Sequence, residues 1–400
     1  MSFFIMMFIL LVIAGLIGWL NYLLLERRFA VYRKPVVRYT YLVITASAVV
    51  VMMYTRGRNL SPMNPDDEVY YWLLYMALAW LVGQFVLILL QLFCYVTEWL
   101  LGLRKARPAT PQSNQSVMTR RSFLTGMATV LPIISVGTGA KGIYEAQAEM
   151  VVQQYRLTFP NLPDHLQGFK IGQISDTHLG PYFSLDRLNT ALQLVKEQKP
   201  DVLAITGDFA DDLRLLKPAL ERLDQLQPSI PLGIYFCIGN HEYIRDAERF
   251  RAEIAKSKAV LLENDNRLIV AGSQPLYLLG VDYPGSDVAR SALDISVNRR
   301  LQCFAAANQN TPTNAFKILL AHHPDFLIDG FAAQIPLTLA GHTHGGQLII
   351  GGKSLFNTHV YMRGLYQENG VYGYVSSGAG HWFPLRLGCP PEISMFTLTS

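Results

Sequence analysis

Cysteine is scarce in this chain, and none of it lies in the motifs that concentrate histidine and aspartate. Only four cysteines occur among the 400 residues. Cys94 falls in a long apolar segment, and Cys237 ends a predicted buried strand, where a free cysteine behaves as a small apolar residue. Cys303 and Cys389 could pair in an oxidising compartment, which sequence alone leaves open. The cysteines therefore give no disulfide framework.

A basic excess is missing from the C-terminal part. Residues 1–148 carry 13 Lys and Arg against 6 Asp and Glu, so their net charge is +7. The remaining residues carry 21 against 24, a net charge of −3. This distribution argues against a nucleic-acid-binding face on the C-terminal part. No internal repeat is found.

Long apolar runs are confined to the N-terminal part. They cover residues 3–25, 39–54 and 70–102, whereas a membrane span needs about 20 apolar residues, so the second run is short for a span. Basic residues follow the first and third runs, and Asp66, Asp67 and Glu68 precede the third. The positive-inside rule puts both basic loops in the cytoplasm. Residues 1–103 are thus predicted to form a multi-pass region of about three helices in the cytoplasmic (inner) membrane, with the N-terminus outside.

The segment 104–148 has three interpretations. Residues 104–118 have the composition of a linker, and Thr119-Arg120-Arg121-Ser122-Phe123-Leu124 resembles a twin-arginine export signal, with a possible cleavage site at Ala146-Gln147-Ala148. Alternatively, two ordinary arginines precede an uncleaved fourth span. Both interpretations place the following residues outside the cytoplasm, and the first implies the twin-arginine translocon as a partner. In the third, the segment does not cross and those residues face the cytoplasm.

Histidine is absent before residue 160, and five of the nine histidines lie in short motifs at the ends of apolar runs. The runs are short and rich in Ile, Leu and Val, which is typical of buried strands. The motifs are Asp176-Thr177-His178, Gly207-Asp208, Gly239-Asn240-His241-Glu242, His322, and Gly341-His342-Thr343-His344. The ends of strands in an open α/β sheet are where ligands bind, and these residue types suit divalent transition metals.

The order of predicted elements after residue 150 alternates strands with helices at first. Helices are predicted at 185–198, 218–227 and 246–258, between strands at 169–175, 202–206 and 232–238. Further strands are predicted at 267–282, 316–321, 337–340, 371–376 and 393–398, with fewer helices between them. This rhythm is typical of an α/β fold.

The motifs resemble those of the calcineurin-like metallophosphoesterases, in particular a membrane-associated branch whose histidine motif reads Gly-His-Thr-His-Gly-Gly-Gln, here Gly341 to Gln347. The resemblance covers about residues 150–400 and includes Pro390-Pro391-Glu392-Ile393. It implies an α/β fold in which residues 149–400 form a metallophosphoesterase-type two-sheet sandwich flanked by helices. An α-helical transmembrane region precedes this domain.

The resemblance also implies two divalent metal ions, Mn, Fe or Zn. A phosphate ester repels hydroxide, and two ions about 3.5–4 Å apart can neutralise that charge, make a nucleophile from water and stabilise the leaving oxygen. By similarity, Asp176, His178 and His344 hold one ion, Asn240, His322 and His342 hold the other, and Asp208 bridges both. His323 is the alternative to His322, but the family pattern His-X-Pro favours His322.

Three further residues receive predicted roles. His241 resembles the family's proton donor to the leaving group, and the alternative is a histidine that only orients phosphate. Glu242 is expected to support its loop by hydrogen bonding. Arg386 is the candidate substrate contact, because guanidinium binds phosphate bidentately, although a surface salt bridge is the more common role of an arginine.

The sequence therefore predicts a metal-dependent phosphohydrolase, either a phosphodiesterase or a phosphatase, that hydrolyses a phosphoester or pyrophosphate at the membrane surface. A phospholipid head group or a nucleotide-linked lipid would suit this location. The competing hypothesis is a membrane-anchored sensor that binds phosphorylated ligands without turnover. The proton donor at His241 argues against it, since a pure binder needs none.

Overall fold

The computed structural model describes residues 3–57, 68–100, 120–285, 296–355, 357–381 and 383–400. Contacts divide the chain into two compact units, Met1–Ile143 and Tyr144–Ser400. The predicted linker 104–118 lies outside the described residues, as do the side chains of Arg120 and Arg121.

The N-terminal unit is helical. Its helices are α1 Phe3–Arg28, α2 Pro35–Gly57, α3 Glu68–Leu100 and α4 Arg120–Gln147, the last of which continues past the unit boundary. Within the described residues, two segments are long and apolar enough to cross a membrane, Pro35–Tyr54 and Val69–Thr97. The first predicted span coincides with α1, and its crossing stays a prediction.

A polar cluster lies inside this helical unit. The Asn21 amide donates to the Gln84 carbonyl (2.7 Å) and side-chain oxygen (3.0 Å), and Gln91 donates to Asn21 (2.8 Å). The Tyr41 hydroxyl donates to the same Gln84 side chain. These hydrogen bonds join α1, α2 and α3, which is how polar side chains hold helices together in an apolar environment.

The C-terminal unit is built on two six-stranded mixed sheets within the described residues. The strands are β1 Val151–Thr158, β2 Lys170–Ile174, β3 Val202–Thr206, β4 Ile234–Cys237, β5 Val260–Leu261, β6 Asp265–Val270, β7 Leu276–Gly280, β8 Phe316–Leu320, β9 Leu337–Ala340, β10 Ile349–Ile350, β11 Lys353–Ser354, β12 Gly364–Glu368, β13 Val371–Val375 and β14 Glu392–Thr399. One sheet has the order β1-β14-β2-β3-β4-β5, the other has the order β12-β13-β9-β8-β7-β6, and β10 and β11 form a separate hairpin.

The central strands are apolar on both faces because both faces are covered. On β3, Val202 and Ala204 belong to the core between the two sheets, whereas Leu203 and Ile205 belong to the core against the helices. This alternation follows from the two-residue period of a strand. The continuous apolar runs of the sequence are therefore interior parallel strands.

Helices flank the sheets. They are α5 Leu185–Gln198, α6 Leu216–Leu226, α7 Asn240–Arg245, α8 Ala247–Ile254, α9 Val297–Asn308 and α10 Phe326–Ala332. The N-cap Ser184 accepts from the Arg187 amide (3.2 Å) and starts α5 at the predicted residue. Helices α9 and α10 were not predicted, and the predicted strand region 267–282 is an antiparallel pair, β6 and β7. The two-sheet sandwich flanked by helices is confirmed.

Candidate metal centre

The two sheets bring the ends of six strands to one place. Strands β2, β3 and β4 run parallel in one sheet, and β7, β8 and β9 run parallel in the other. Their carboxyl ends meet, because a Cβ added to Gly341 after β9 would lie 2.0 Å from Ser175 Oγ after β2. The predicted ligands lie at this junction. They are Asp176, His178, Asp208, Asn240, His322, His342 and His344.

The first group of donor atoms comes from β2 and β9. His178 Nε2 and His344 Nε2 lie 3.0 Å apart, and Asp176 Oδ1 lies 4.0 Å and 3.5 Å from them. All three side chains are buried. On its other side, His178 Nδ1 lies 3.4 Å from Asp211 Oδ2, a contact that leaves Nε2 to face the group.

The second group comes from β4, β8 and β9. His322 Nε2 lies 3.1 Å from both Asn240 Oδ1 and His342 Nδ1. The other nitrogen of His322 donates to the Thr206 carbonyl at 2.8 Å, which places a proton on Nδ1 and directs Nε2 toward the group. This hydrogen bond selects, for the neutral ring, the tautomer that a ligand requires.

One oxygen belongs to both groups. Asp208 Oδ2 lies 3.7 Å from His178 Nε2 in the first group and 3.1 Å from His322 Nε2 in the second. Burial raises the pKa of Asp208, but the imidazoles of His322 and His241 outweigh burial and hold it well below the usual value. Burial lowers the pKa of His322, while Asp208 raises it to about 10.

The backbone at these positions is unusual. Five of the predicted ligands adopt positive φ values of 47–72°, namely Asp176, His178, Asp208, His342 and His344. Positive φ is uncommon outside glycine and recurs at functional sites, where the surrounding structure holds it. Gly207, with φ of 79°, leaves no room for a side chain, since its Cβ would lie 2.7 Å from His322 Nδ1.

The donor set fits divalent transition metals. Each group combines imidazole nitrogen with carboxylate or amide oxygen, the mixture that suits Mn, Fe and Zn. The residues that the structure brings together are those predicted from the sequence, with His322 rather than His323 at the centre. Their role as ligands stays a prediction.

His241 lies at the edge of the first group. Its Nδ1 lies 2.6 Å from Asp211 Oδ1, and its backbone amide donates to Asp208 Oδ1 at 2.8 Å. Burial lowers the pKa of His241, but the carboxylates of Asp208 and Asp211 raise it to about 9. With Nδ1 held by Asp211, His241 keeps Nε2 for an external partner. One of its ring nitrogens lies within 4.8 Å of donor atoms of His178 and Asp208, and its role as a proton donor rather than a ligand stays a prediction.

Glu242 joins two loops of the site. Its carboxylate accepts hydrogen bonds from the amides of Gly239 (2.8 Å), Asp208 (3.0 Å) and Phe209 (2.7 Å). The side chain is fully buried. Glu242 therefore couples the segment after β3 to the segment after β4, in the supporting position expected for it.

Arg386 occupies a different place from a substrate contact. The residue is 0% exposed, and its guanidinium donates to the carbonyls of Ser377 (2.7 Å), Gly378 (3.1 Å) and Cys389 (3.2 Å). Its Nη2 also lies 3.3 Å from His344 Nδ1. This burial argues against the predicted substrate role, because the guanidinium instead ties the C-terminal loop to a candidate ligand.

None of the four cysteines forms a disulfide bond.

Sequence reasoning missed three residues beside the centre. Asp211 contacts both His178 and His241. Tyr283 and His359 lie next to His342, at ring-centroid distances of 6.0 Å and 5.5 Å. Asp211 follows Asp208 by three residues, and that spacing was its only signal in the sequence.

Comparisons with known proteins agree on one family. The calcineurin-like phosphoesterase profile matches residues 169–346. Metallophosphoesterase YkuE of Bacillus subtilis is 29% identical over 71% of this chain and 98% of its own length. A metallophosphoesterase of Aquifex aeolicus is 30% identical over 62% of this chain and 91% of its own length.

A third relative carries a membrane region in its name. The transmembrane protein with metallophosphoesterase domain of Danio rerio is 28% identical over 83% of this chain and 75% of its own length. Together with the two apolar helices, this likeness indicates membrane association. The chain belongs to the calcineurin-like metallophosphoesterase family and is a metal-dependent phosphoesterase.

Proposed function

We propose that this protein is a membrane-attached phosphohydrolase, either a phosphodiesterase or a phosphatase, whose residues 149–400 cleave a phosphoester or pyrophosphate bond with two divalent ions, Mn, Fe or Zn. The observation that carries the proposal is the position of Asp208 Oδ2, which lies within reach of both nitrogen-donor groups. Only a carboxylate offers a charged oxygen for such a bridge.

Each ion would have its own residues. Asp176, His178 and His344 would hold one, and Asn240, His322 and His342 the other. Two divalent cations in these positions supply charge neutralisation at the phosphoryl group and activation of water near neutral pH. This division is supported by the proximity of Asp176, His178 and His344 to one another, and by that of Asn240 to His322 and His342.

The protein's own side chains complete the reaction. His241 would give a proton from Nε2 to the leaving oxygen, while Asp211 holds its Nδ1 and keeps the ring in place. Glu242 fixes the loop that carries Asp208, so the bridging carboxylate stays where both groups need it.

The N-terminal unit supports action at a membrane surface. Pro35–Tyr54 and Val69–Thr97 could each cross a bilayer. We propose a multi-pass protein of the cytoplasmic membrane, in the branch with the Gly341 to Gln347 motif, whose catalytic region is exported through the segment around Arg120 and Arg121. A phospholipid head group or a nucleotide-linked lipid would be presented at that surface.

Turnover by the full-length protein tests the proposal. The purified chain in detergent micelles, loaded with Mn²⁺, is expected to hydrolyse bis(4-nitrophenyl) phosphate, and chelation should abolish this activity. 4-Nitrophenyl phosphate, a monoester, separates diesterase from phosphatase. Binding of phosphate without hydrolysis of either ester, at full metal loading, would instead support the sensor hypothesis.

A further inference from the structure

Three hydrogen-bonding side chains outside the metal centre lie next to His342. The ring centroids of Tyr283, His323 and His359 lie 6.0, 4.9 and 5.5 Å from that of His342. One ring nitrogen of His323 and one of His359 lie within 4.8 Å of a ring nitrogen of His342. No role in the chemistry described above uses any of the three.

His323 has a defined tautomer. Its Nδ1 accepts a hydrogen bond from the backbone amide of Asp325 at 3.2 Å, so Nδ1 carries no proton. The neutral ring therefore carries its proton on Nε2. This Nε2 is buried and has no hydrogen-bond partner among the described residues. His323 thus presents a donor that lacks an acceptor.

Tyr283 presents a second such donor. The residue is 4% exposed, and its hydroxyl has no hydrogen-bond partner in the described part of the chain. A phenol carries its proton at neutral pH, so the hydroxyl can donate. A buried donor without an acceptor costs free energy, and in a native structure it calls for an acceptor that arrives from outside.

His359 lies on the outer side of Tyr283 and His323. It is only partly buried, and its Nδ1 lies 2.8 Å from the Thr358 hydroxyl, which leaves Nε2 free. The residue belongs to the segment between β11 and β12, outside both six-stranded sheets. Its ring packs against that of His323, with the two ring centroids 5.0 Å apart.

A third metal ion is a poor occupant for this place. With Nδ1 of His323 already accepting from an amide, ligation through Nε2 would require the ring to lose its remaining proton. The two donors of His323 and Tyr283 are instead satisfied by an acceptor group that offers several oxygens. A phosphoryl group of a pyrophosphate has two or three non-bridging oxygens that share negative charge, and hydrogen bonds to a charged acceptor are the strong ones.

We propose that Tyr283, His323 and His359 form a subsite for a second phosphoryl group, joined to the one that the metal centre attacks. The inference rests on the proposed function and narrows its substrate class to pyrophosphate-linked compounds. His359 moves aside as the second phosphoryl enters and contacts it through Nε2, while Tyr283 and His323 donate to its oxygens.

Calorimetry with two non-hydrolysable probes tests the subsite on the Mn²⁺-loaded full-length protein. Methylenediphosphonate carries both phosphoryl groups, and methylphosphonate carries one. Methylenediphosphonate should bind more tightly, and Tyr283→Phe should weaken it by roughly tenfold, the worth of one hydrogen bond to a charged acceptor, without changing methylphosphonate. His359→Gln should also reduce only the diphosphonate affinity.

Tyr361→Phe is the matched control, because its hydroxyl donates to Glu368 at 2.9 Å on an exposed surface. Because the diphosphonate chelates the ions in every variant alike, comparison with this control also corrects for that chelation. Equal affinity for the two probes, or affinities that neither variant changes, would overturn the subsite. So would a third metal equivalent per chain that His323→Gln removes. Hydrolysis of bis(4-nitrophenyl) phosphate by the same preparation reports separately on the proposed function.

Discussion

At the residue scale, the candidate ligands are oriented by partners outside the centre. The Thr206 carbonyl fixes the tautomer of His322, and Asp211 lies against the outer nitrogen of His178. Such partners set ring orientation and raise ligand basicity. The same carboxylate of Asp211 also contacts His241, so one residue lies against both a predicted metal ligand and the predicted proton donor.

His241→Ala is expected to keep both metal ions and to lose roughly 10²- to 10⁴-fold in rate, the usual worth of general acid catalysis. The loss should be smaller for a nitrophenyl ester than for an alkyl ester, because nitrophenolate leaves without a proton. The measurement compares the rates and the metal content of the parent and the variant. His165→Ala, at an exposed position, is the control. Equal losses for both esters would assign His241 to phosphate orientation.

Asp211→Asn should affect both functions of that residue. We expect roughly 10- to 100-fold loss of metal affinity at the first group, as for other residues that orient ligands, together with a slower reaction. Asp212→Asn is the matched control, because its carboxylate pairs with the exposed Arg214 instead. Competition with a chelator measures the affinity. Unchanged metal affinity together with a slower reaction would show that Asp211 acts only on His241.

At the scale of elements, the site depends on how strand ends are joined. The chain leaves β3 at Gly207 and β4 at Gly239, and Glu242 in α7 accepts amides from both loops. Backbone amides of buried loops need such acceptors. Helix α7 is short, yet it carries Asn240, His241 and Glu242 on one turn.

Glu242→Gln should destabilise the metal-free protein by about 1–3 kcal/mol, because the new amide group would face a backbone N–H and leave a buried donor unpaired. Thermal unfolding in chelator should show a lower midpoint. Glu248→Gln is the matched control, since its side chain is 88% exposed on α8. If both variants unfold at the same temperature as the parent, the coupling of the two loops is energetically unimportant.

The strand ends were predictable because short apolar runs stop at polar ligands. Strands β3 and β9 have the predicted limits, since both are buried on both faces and their sequences carry an uninterrupted signal. The antiparallel turn between β6 and β7 was less visible, because Asp265–Val270 is an edge strand with exposed polar residues.

Residues that act through loops were not predictable. Tyr283 and His359 come near His342 only through the tertiary fold, and no local pattern links them. Arg386 was expected at a substrate cleft because guanidinium binds phosphate bidentately. Its carbonyl partners come from the Gly-rich segment around Gly378, whose path could not be read from sequence.

At the scale of the whole molecule, charge and hydropathy assign different tasks to the two parts of the chain. The net charge of +7 belongs to residues 1–148, which hold the apolar helices, and the net charge of −3 to the phosphoesterase region. Positive charge beside spans sets their orientation, whereas the later residues carry the chemistry.

A reporter that is active only outside the cytoplasm tests the topology. A fusion after residue 160 should be active, and a fusion at Arg107 should be silent, if the basic loops face the cytoplasm. Changing Arg120 and Arg121 to Lys should block export through a twin-arginine translocon, which reads the pair specifically. Unchanged localisation would show that the two arginines act only as charge, and an inverted pattern would place catalysis in the cytoplasm.

The most direct test of the dinuclear centre is the metal content of the parent and of Asp208→Asn. Asp208 Oδ2 is the atom common to both donor groups, so its replacement should weaken both sites together. Elemental analysis of the active parent should find two divalent ions per chain, and the variant should lose both in parallel during dialysis. One ion in the fully active parent, or loss of a single ion in the variant, would contradict the bridged two-metal site.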